Sequence, residues 1–190
     1  MRRTRALIVG CCAATTLWTG AVATPARAAS PAPAVAPCAD AARPNPMTVT
    51  LSGVHADYRA GGGWTTLRLT VRNRTRAVCA QVRPVLVYGA RGRTLRAGAV
   101  RLESLRAGRW RRIDLDPALG QLAGRVGPSA GLRLRAGESV TLRVRMRVTR
   151  GAPHGEWLSL AVAYAPMQSK GSTVTWPVGV TNPSYFRVTG

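Results

Sequence analysis

The sequence predicts an all-β fold, an antiparallel β-sandwich of about nine strands, and two alternating segments support this prediction most directly. From residue 139 to residue 149, polar and apolar side chains alternate without exception. Residues 65–73 repeat the pattern, and a glycine triplet at 61–63 supplies the turn before them. Because side chains on a strand point alternately to its two faces, each segment is typical of a strand with one face in a core and one in water. Turn residues recur about every ten positions from Met47 onward, which favours a sandwich over a helical or α/β fold.

The strands are predicted from successive short runs along the chain. They lie near residues 47–54, 64–73, 79–88, 100–105, 110–115, 132–135 leading into 139–149, 157–164, 173–180 and 185–188. Residues 100–105 and 110–115 are expected to form a hairpin through a turn at 106–109. Asp116 and Pro117 suit an N-cap and a first helical position, so a short helical turn ending near Gly124 is expected there.

Alternation also predicts which side chains form the core. Val85 and Val87 are expected on the same side of their strand as Cys79. The core is expected to include Leu67, Leu69, Val71, Val140, Leu142, Val144, Met146, Leu158, Leu160 and Val162. Arg145, between two core positions, is expected to be an ordinary surface residue.

The first 28 residues have the pattern of a signal peptide. Three arginines stand among the first five residues, and an apolar stretch follows them. Ala26 and Ala28 then provide the small residues that signal peptidase needs, with cleavage after Ala23 as a second possibility. An uncleaved N-terminal membrane anchor is the alternative interpretation. Export through the general secretory route, with no stable membrane anchor after cleavage, is the expectation.

Three segments are therefore predicted: a signal peptide at residues 1–28, an Ala/Pro-rich extended segment at 29–46 and a β-sandwich domain at 47–190. The chain has 28 basic and 7 acidic residues, a formal net charge of +21. Removal of residues 1–28, which hold four arginines and no acid, leaves a net charge of +17. A secreted, basic protein is expected.

The cysteines predict one disulfide. Cys11 and Cys12 belong to the predicted signal peptide, which leaves Cys38 and Cys79 as a pair in an oxidising compartment. Two cysteines with distant histidines do not make a zinc site, and two neighbouring carboxylates are too few for calcium. No metal ion or cofactor is expected.

Residues 127–131, Gly-Pro-Ser-Ala-Gly, match the nucleophile motif G-x-S-x-G. That motif acts at a strand-to-helix turn, with an acid and a histidine later in the chain. Here a strand follows, and Glu138, His154 and Glu156 are the later candidates. We interpret the segment as a loop, assign no catalytic residue and do not expect an enzyme.

Arginine is densest between residues 91 and 112, where Glu103 is the one acid. Such a cluster attracts polyanions, so an anionic envelope polymer or, without sequence preference, a nucleic acid is a candidate partner. Aromatic residues are too few to expect base stacking. The alternative is a solvated surface that keeps the protein soluble. The candidate polyanion-binding residues are Arg91, Arg93, Arg96, Arg101, Arg106, Arg109, Arg111 and Arg112.

Several short motifs resemble Ig-like β-sandwich modules of exported actinobacterial, Streptomyces-type proteins. They are GGWTTLRLTVRNRT at 62–75, VRPVL at 82–86, GLRLRAGESVTL at 131–142 and APHG at 152–155. The resemblance spans about residues 47–164, implies an Ig-like fold and an exported location, and transfers no functional residue.

Together these observations predict an exported, non-enzymatic Ig-like module that acts at or near the cell envelope and binds an anionic polymer or a protein partner. A secreted enzyme inhibitor, or an accessory domain of an extracellular enzyme, is the alternative.

Overall fold

Two β-sheets pack face to face around one hydrophobic core in the computed structural model, which describes residues 38, 45–169 and 172–190. Every secondary-structure element within these residues is a β-strand, so the predicted all-β sandwich is confirmed. The strands are β1 (Met47–Ser52), β2 (Asp57–Arg59), β3 (Thr65–Asn73), β4 (Cys79–Ala90), β5 (Val100–Arg106), β6 (Arg109–Ile113), β7 (Asp116–Ala118), β8 (Gln121–Arg125), β9 (Leu132–Leu134), β10 (Ser139–Val148), β11 (Gly155–Ser169), β12 (Ser172–Val180) and β13 (Ser184–Thr189). The four strands beyond the nine predicted are β2, β7 and β9, each three residues long, and β8, which lies in the segment expected to be a helical turn.

The first sheet has five strands in the order β1-β3-β10-β5-β6, each antiparallel to its neighbours. The alternation in β3 and β10 gives the predicted faces, and the apolar residues of both strands point into the core. Val140 and Leu142 are only half-buried, whereas Val144 and Met146 are fully buried. The predicted β5–β6 hairpin is confirmed.

The second sheet has eight strands. Its main order is β2-β13-β11-β4-β8-β7, with β12 also paired to β11 and β9 paired to the start of β4. Among the strands of the described residues, only β13 and β2 pair in parallel. The long strands β11 and β4 form its centre.

The core face of β11 is opposite to the prediction. Leu158, Leu160 and Val162 are half-buried on the outer side, and Trp157, Ser159, Ala161 and Ala163 face the core. Both faces of this strand are largely apolar, so alternation cannot indicate which one points inward. The inward alanines are small and share the core with larger leucine and methionine side chains of the five-stranded sheet.

The prediction that Val85 and Val87 lie on the side of Cys79 is also wrong. Gln81 has a φ of 56°, and the pairing of β4 with β9 shifts register between Cys79 and Val82. Such a bulge inserts one residue and exchanges the two faces beyond it. Leu86 and Tyr88 therefore point into the core, and the two valines point outward.

The helical turn predicted from Asp116 is a β-hairpin instead, formed by β7 and β8. Leu119 and Gly120, between the two strands, have φ values of 51° and 78°. Two successive positive φ angles make the tight turn that matches the twist of a hairpin, which ends any helix at this point.

The disulfide between Cys38 and Cys79 is formed, as predicted, and both residues are buried. The Cys38 N–H donates to the carbonyl oxygen of Pro166 at 3.2 Å. The predicted signal peptide and most of the Ala/Pro-rich segment lie outside the described residues. Among the residues described, no helix is long and apolar enough to cross a membrane.

A buried asparagine at the end of β3 connects three parts of the chain. The Asn73 amide donates to the carbonyl oxygens of Ala77, Leu134 and Arg135 at 2.7–3.2 Å. Its carbonyl oxygen accepts from the N–H and the hydroxyl of Thr75 at 2.9 and 2.8 Å. The asparagine and threonine of the resemblance motif at 62–75 therefore fix the loop between β3 and β4.

Candidate binding surfaces

The outer face of the five-stranded sheet is rich in arginine. Arg145 and Arg147 on this face are half-buried, and the other arginines are exposed. Glu103 lies among them, and a carboxylate oxygen of Asp114 is 3.5 Å from Nε of Arg112. Threonines of β1, β3 and β10 fill much of the remaining surface. We call this surface the arginine face, formed by Arg68, Arg72, Arg101, Arg112, Arg143, Arg145 and Arg147.

Two pairs of arginines stand directly opposite each other on this face. Arg68 of β3 is the register partner of Arg143 of β10, and Arg101 of β5 is the register partner of Arg147. Like charges placed directly opposite on neighbouring strands destabilise a sheet. An anion lying across these strands would relieve that repulsion.

Arg145, at the centre of the face, is held on three sides. Its guanidinium lies 4.5 Å from the ring centroid of Trp64 and 4.6 Å from that of Trp110, within cation–π range. Its Nη2 is 2.6 Å from a carboxylate oxygen of Glu103, and its Nε donates to the same oxygen at 2.7 Å. Arg145 is therefore not the ordinary surface residue that alternation predicts.

Sequence reasoning missed this stack because the two tryptophans lie 46 positions apart in the chain. Trp64 directly precedes β3 and Trp110 is in β6, on opposite sides of β10 in the sheet order. Only the strand order brings both rings to Arg145. Glu103 balances the charge of Arg145, and the guanidinium of Arg145 holds the two rings in place.

The eight arginines predicted from residues 91–112 do not form one cluster. Only Arg101 and Arg112 belong to the arginine face, because the β5–β6 hairpin alternates its side chains between two sides. Arg106 and Arg112 line a concavity of about 460 Å³ at the sandwich edge, and Arg96 lines another of about 420 Å³. Arg109 and Arg111 are exposed on β6, and Arg91 and Arg93 line a larger cavity on the other sheet.

That cavity, which we call the end cavity, has a volume of about 1180 Å³ and lies where β4, β8, β11 and β13 come together. Gly89 and Leu158, register partners on the outer face of the eight-stranded sheet, are among its lining residues. Tyr185 and Leu119 line its sides and are exposed, with Leu119 fully exposed. A cavity of this size is large enough for a small organic ligand.

Charged side chains surround the end cavity. Nη1 of Arg91 donates to a carboxylate oxygen of Glu156 at 2.8 Å, and this hydrogen bond together with the negative charge raises the pKa of the Arg91 guanidinium. Arg93, Arg187 and Asp57 also line the cavity. The guanidinium groups of Arg93 and Arg187 pair with no carboxylate among the described residues.

The G-x-S-x-G segment is a loop, as predicted, and the strand β9 follows it. Gly131 has a φ of 83°, and a Cβ there would meet backbone atoms of Gln81 at 2.8 Å. The glycine is therefore needed for the close approach of this loop to the β4 bulge. Ser129 is exposed and lines the 460 Å³ concavity with Asp114 and Asp116. In the described part of the chain, no three His, Cys, Asp or Glu side chains come together as a metal site.

Comparison with known proteins gives structural neighbours only. No family model and no curated protein matches the sequence. The solved structure described as "AvmM Catalyzes Macrocyclization in Alchivemycin A Biosynthesis" is 18% identical, with a TM-score of 0.55 over 77% of this chain and 90% of that chain. At this identity the likeness shows the fold alone.

Weaker likenesses cover only part of larger proteins. The Pseudomonas fluorescens alkylpurine DNA glycosylase AlkC is 11% identical, with a TM-score of 0.37 over 76% of this chain and 31% of that chain. BcpA, the major pilin subunit of Bacillus cereus, is 11% identical, with a TM-score of 0.34 over 75% of this chain and 40% of that chain. This chain thus spans less than half the length of either protein.

Proposed function

We propose that the protein is an exported, basic, non-enzymatic Ig-like module that binds an anionic polymer at or near the cell envelope. The disulfide between Cys38 and Cys79 supports an oxidising compartment, in agreement with the signal-like pattern of residues 1–28. The arginine face is the proposed binding surface.

The observation that supports this function best is that two pairs of arginines are register partners on neighbouring strands. Solubility needs charge but does not need like charges opposite each other, and such pairs weaken the sheet. A polymer with regularly spaced phosphates or carboxylates would place an anion near several guanidinium groups at once. The Trp64–Arg145–Trp110 stack keeps the centre of the surface rigid, which lowers the entropy lost on binding.

A salt titration with two matched variants tests the proposal. The first variant changes Arg68, Arg101, Arg143 and Arg147 of the arginine face to Gln. The control changes four exposed arginines off this face to Gln, namely Arg76, Arg109, Arg125 and Arg133, and so has the same net charge. Affinity for a poly(glycerol phosphate) chain and for heparin is measured between low and physiological salt.

We expect log affinity of the unmodified protein to fall linearly with log salt, because bound counterions are released. The arginine-face variant should lose affinity at every salt concentration and have a slope smaller by about 3, whereas the control should change little. Equal losses in the two variants would show that overall charge, rather than this face, causes binding. Absence of binding by the unmodified protein at low salt would exclude the function.

A further inference from the structure

We propose that the end cavity binds an amphipathic anion, a small molecule with an apolar body and one carboxylate or phosphate group. This site lies on the eight-stranded sheet and is independent of the arginine face on the other sheet. Two residues at the cavity, a glycine within a central strand and a leucine at a hairpin tip, are each unfavourable for the stability of the fold. The contacts within the described residues explain neither of them.

The first of these unfavourable residues is Gly89. Glycine within a strand is less favourable than alanine, because it loses more conformational freedom on folding. The φ of Gly89 is not positive, and a Cβ there would meet Leu158 and Gln121 at 3.5 and 3.7 Å, which is ordinary contact. Neither backbone conformation nor packing therefore requires glycine. Its effect is to leave space in the lining of the cavity, as is typical where a ligand approaches a strand closely.

The second unfavourable residue is Leu119. At a φ of 51° a leucine is strained, and glycine or asparagine is the usual residue at such a hairpin position. The strain is not balanced by burial, because the Leu119 side chain is fully exposed. The tip of the β7–β8 hairpin is nevertheless held in place, because the Leu95 N–H donates to the Gly120 carbonyl oxygen at 2.9 Å. A leucine held in this way beside the cavity can cover the apolar part of a bound molecule.

The outer face of the sheet supplies an apolar surface for that part. Leu158 in the lining is followed along β11 by Leu160 and Val162, which also point outward. Val87 of β4 is the register partner of Leu160, so the apolar surface continues across two strands. The aromatic ring of Tyr185, the register partner of Leu158, borders it on the other side.

The charges around the cavity select an anion. Arg91 and Glu156 neutralise each other. The other charged residues of the lining are two arginines, Arg93 and Arg187, and one carboxylate, Asp57. One positive charge therefore remains in excess. An arginine side chain binds a carboxylate or a phosphate through two parallel hydrogen bonds, so either head group fits.

Calorimetric titration with simple amphiphiles below their critical micelle concentrations tests the proposal. Decanoate and decyl phosphate represent the two head groups, and their relative affinities show which one the site prefers. Acetate has no apolar body, and decyltrimethylammonium has the opposite charge. We expect one binding site for decanoate or decyl phosphate, and at least tenfold weaker binding of acetate and of the cation. Equally strong binding of acetate or of the cation would overturn the proposal.

Matched variants locate the site. Gly89→Leu fills the cavity and should weaken binding at least tenfold, whereas Gly151→Leu places the same side chain at an exposed glycine with nothing within 4 Å and should not. Arg93→Gln with Arg187→Gln should weaken binding, and Arg143→Gln on the arginine face should leave it unchanged. Leu119→Gly removes the covering side chain at a position where glycine is unstrained, so it should weaken binding without unfolding the protein. Unchanged affinity in both Gly89→Leu and Leu119→Gly would exclude the end cavity as the site.

Discussion

At the scale of single residues, Asn73 contributes more to stability than any exposed polar side chain is expected to. Replacement by alanine would remove the side-chain donor of the buried Leu134 carbonyl oxygen and the acceptor of the buried Thr75 N–H. Buried polar groups without partners cost about 1–3 kcal/mol each when solvent cannot reach them. We expect Asn73→Ala to lower the free energy of unfolding by roughly 3 kcal/mol in urea titrations. Asn182→Ala, at an exposed asparagine, should change it by less than about 0.5 kcal/mol, and similar losses in the two variants would contradict this role.

Tyr88 presents the opposite case, a polar group in the core without a partner. Its hydroxyl and that of its register partner Ser159 are buried and make no hydrogen bond with the described residues. Burial of an unpaired hydroxyl is unfavourable, so Tyr88→Phe should raise the free energy of unfolding at pH 7 by about 1 kcal/mol. Ser159→Ala should act in the same direction. A loss of stability in both variants would show that the hydroxyls have partners in solution.

The same residue predicts a pH dependence. Burial, and secondly the nearby Tyr58 phenol, raise the pKa of Tyr88 well above its ordinary range. The unfolded chain releases this proton near pH 10 and the folded protein does not, so the folded state holds more protons above that pH. Stability should therefore fall as pH rises above about 10. Urea titrations at pH 9 and pH 11 should show a smaller fall for Tyr88→Phe, and an equal fall would contradict the assignment.

At the scale of strands, the alternation of polar and apolar residues predicts which face points into the core only where the two faces differ in polarity. In β3 and β10 arginines and threonines separate the apolar residues, and the sequence predicts both the strands and their faces. In β11 nearly every residue from Trp157 to Ala165 is apolar, so the strand is recognisable but its orientation is not. In β4 one extra residue at Gln81 exchanges the faces, and no local pattern distinguishes it.

The binding surfaces show the same limit on a larger scale. The excess of arginine is evident from composition, but which arginines share a face depends on strand order. Arg68, Arg101 and Arg143 come from three strands that are distant in the chain and adjacent in the sheet. The end cavity combines residues from β2, β4, β8, β11 and β13, and no segment of the sequence indicates it alone.

The connection between Cys38 and β4 should stabilise the sandwich. The disulfide joins residues separated by 41 positions, and closing a loop of that length contributes about 4 kcal/mol in the chain-entropy treatment. We expect the double variant Cys38→Ser, Cys79→Ser to unfold at a correspondingly lower urea concentration. Mass spectrometry of the unmodified protein without reductant should detect one linked peptide containing both cysteines. Two alkylatable thiols in fresh material would contradict the linkage.

At the scale of the whole molecule, the two outer faces differ in chemistry. The five-stranded sheet presents arginines and threonines, and the centre of the eight-stranded sheet presents Leu158, Leu160, Val162 and Val87. A sandwich with both outer faces in water usually has polar residues on each. The asymmetry therefore allows a polymer to occupy one side while an amphipathic molecule occupies the other, with no competition between the two sites.

The disulfide also determines where mechanical force enters the fold. Without it, tension applied to the N-terminal end of the chain would act first on β1, an edge strand, and would separate it from β3 one hydrogen bond at a time. With Cys38 bonded to Cys79, the same tension passes directly to the first residue of β4, which pairs with β9 there and with β11 and β8 further along the strand. The edge strand β1 then bears no load. The disulfide therefore bypasses β1 and connects the N-terminal side of the chain to the centre of the other sheet.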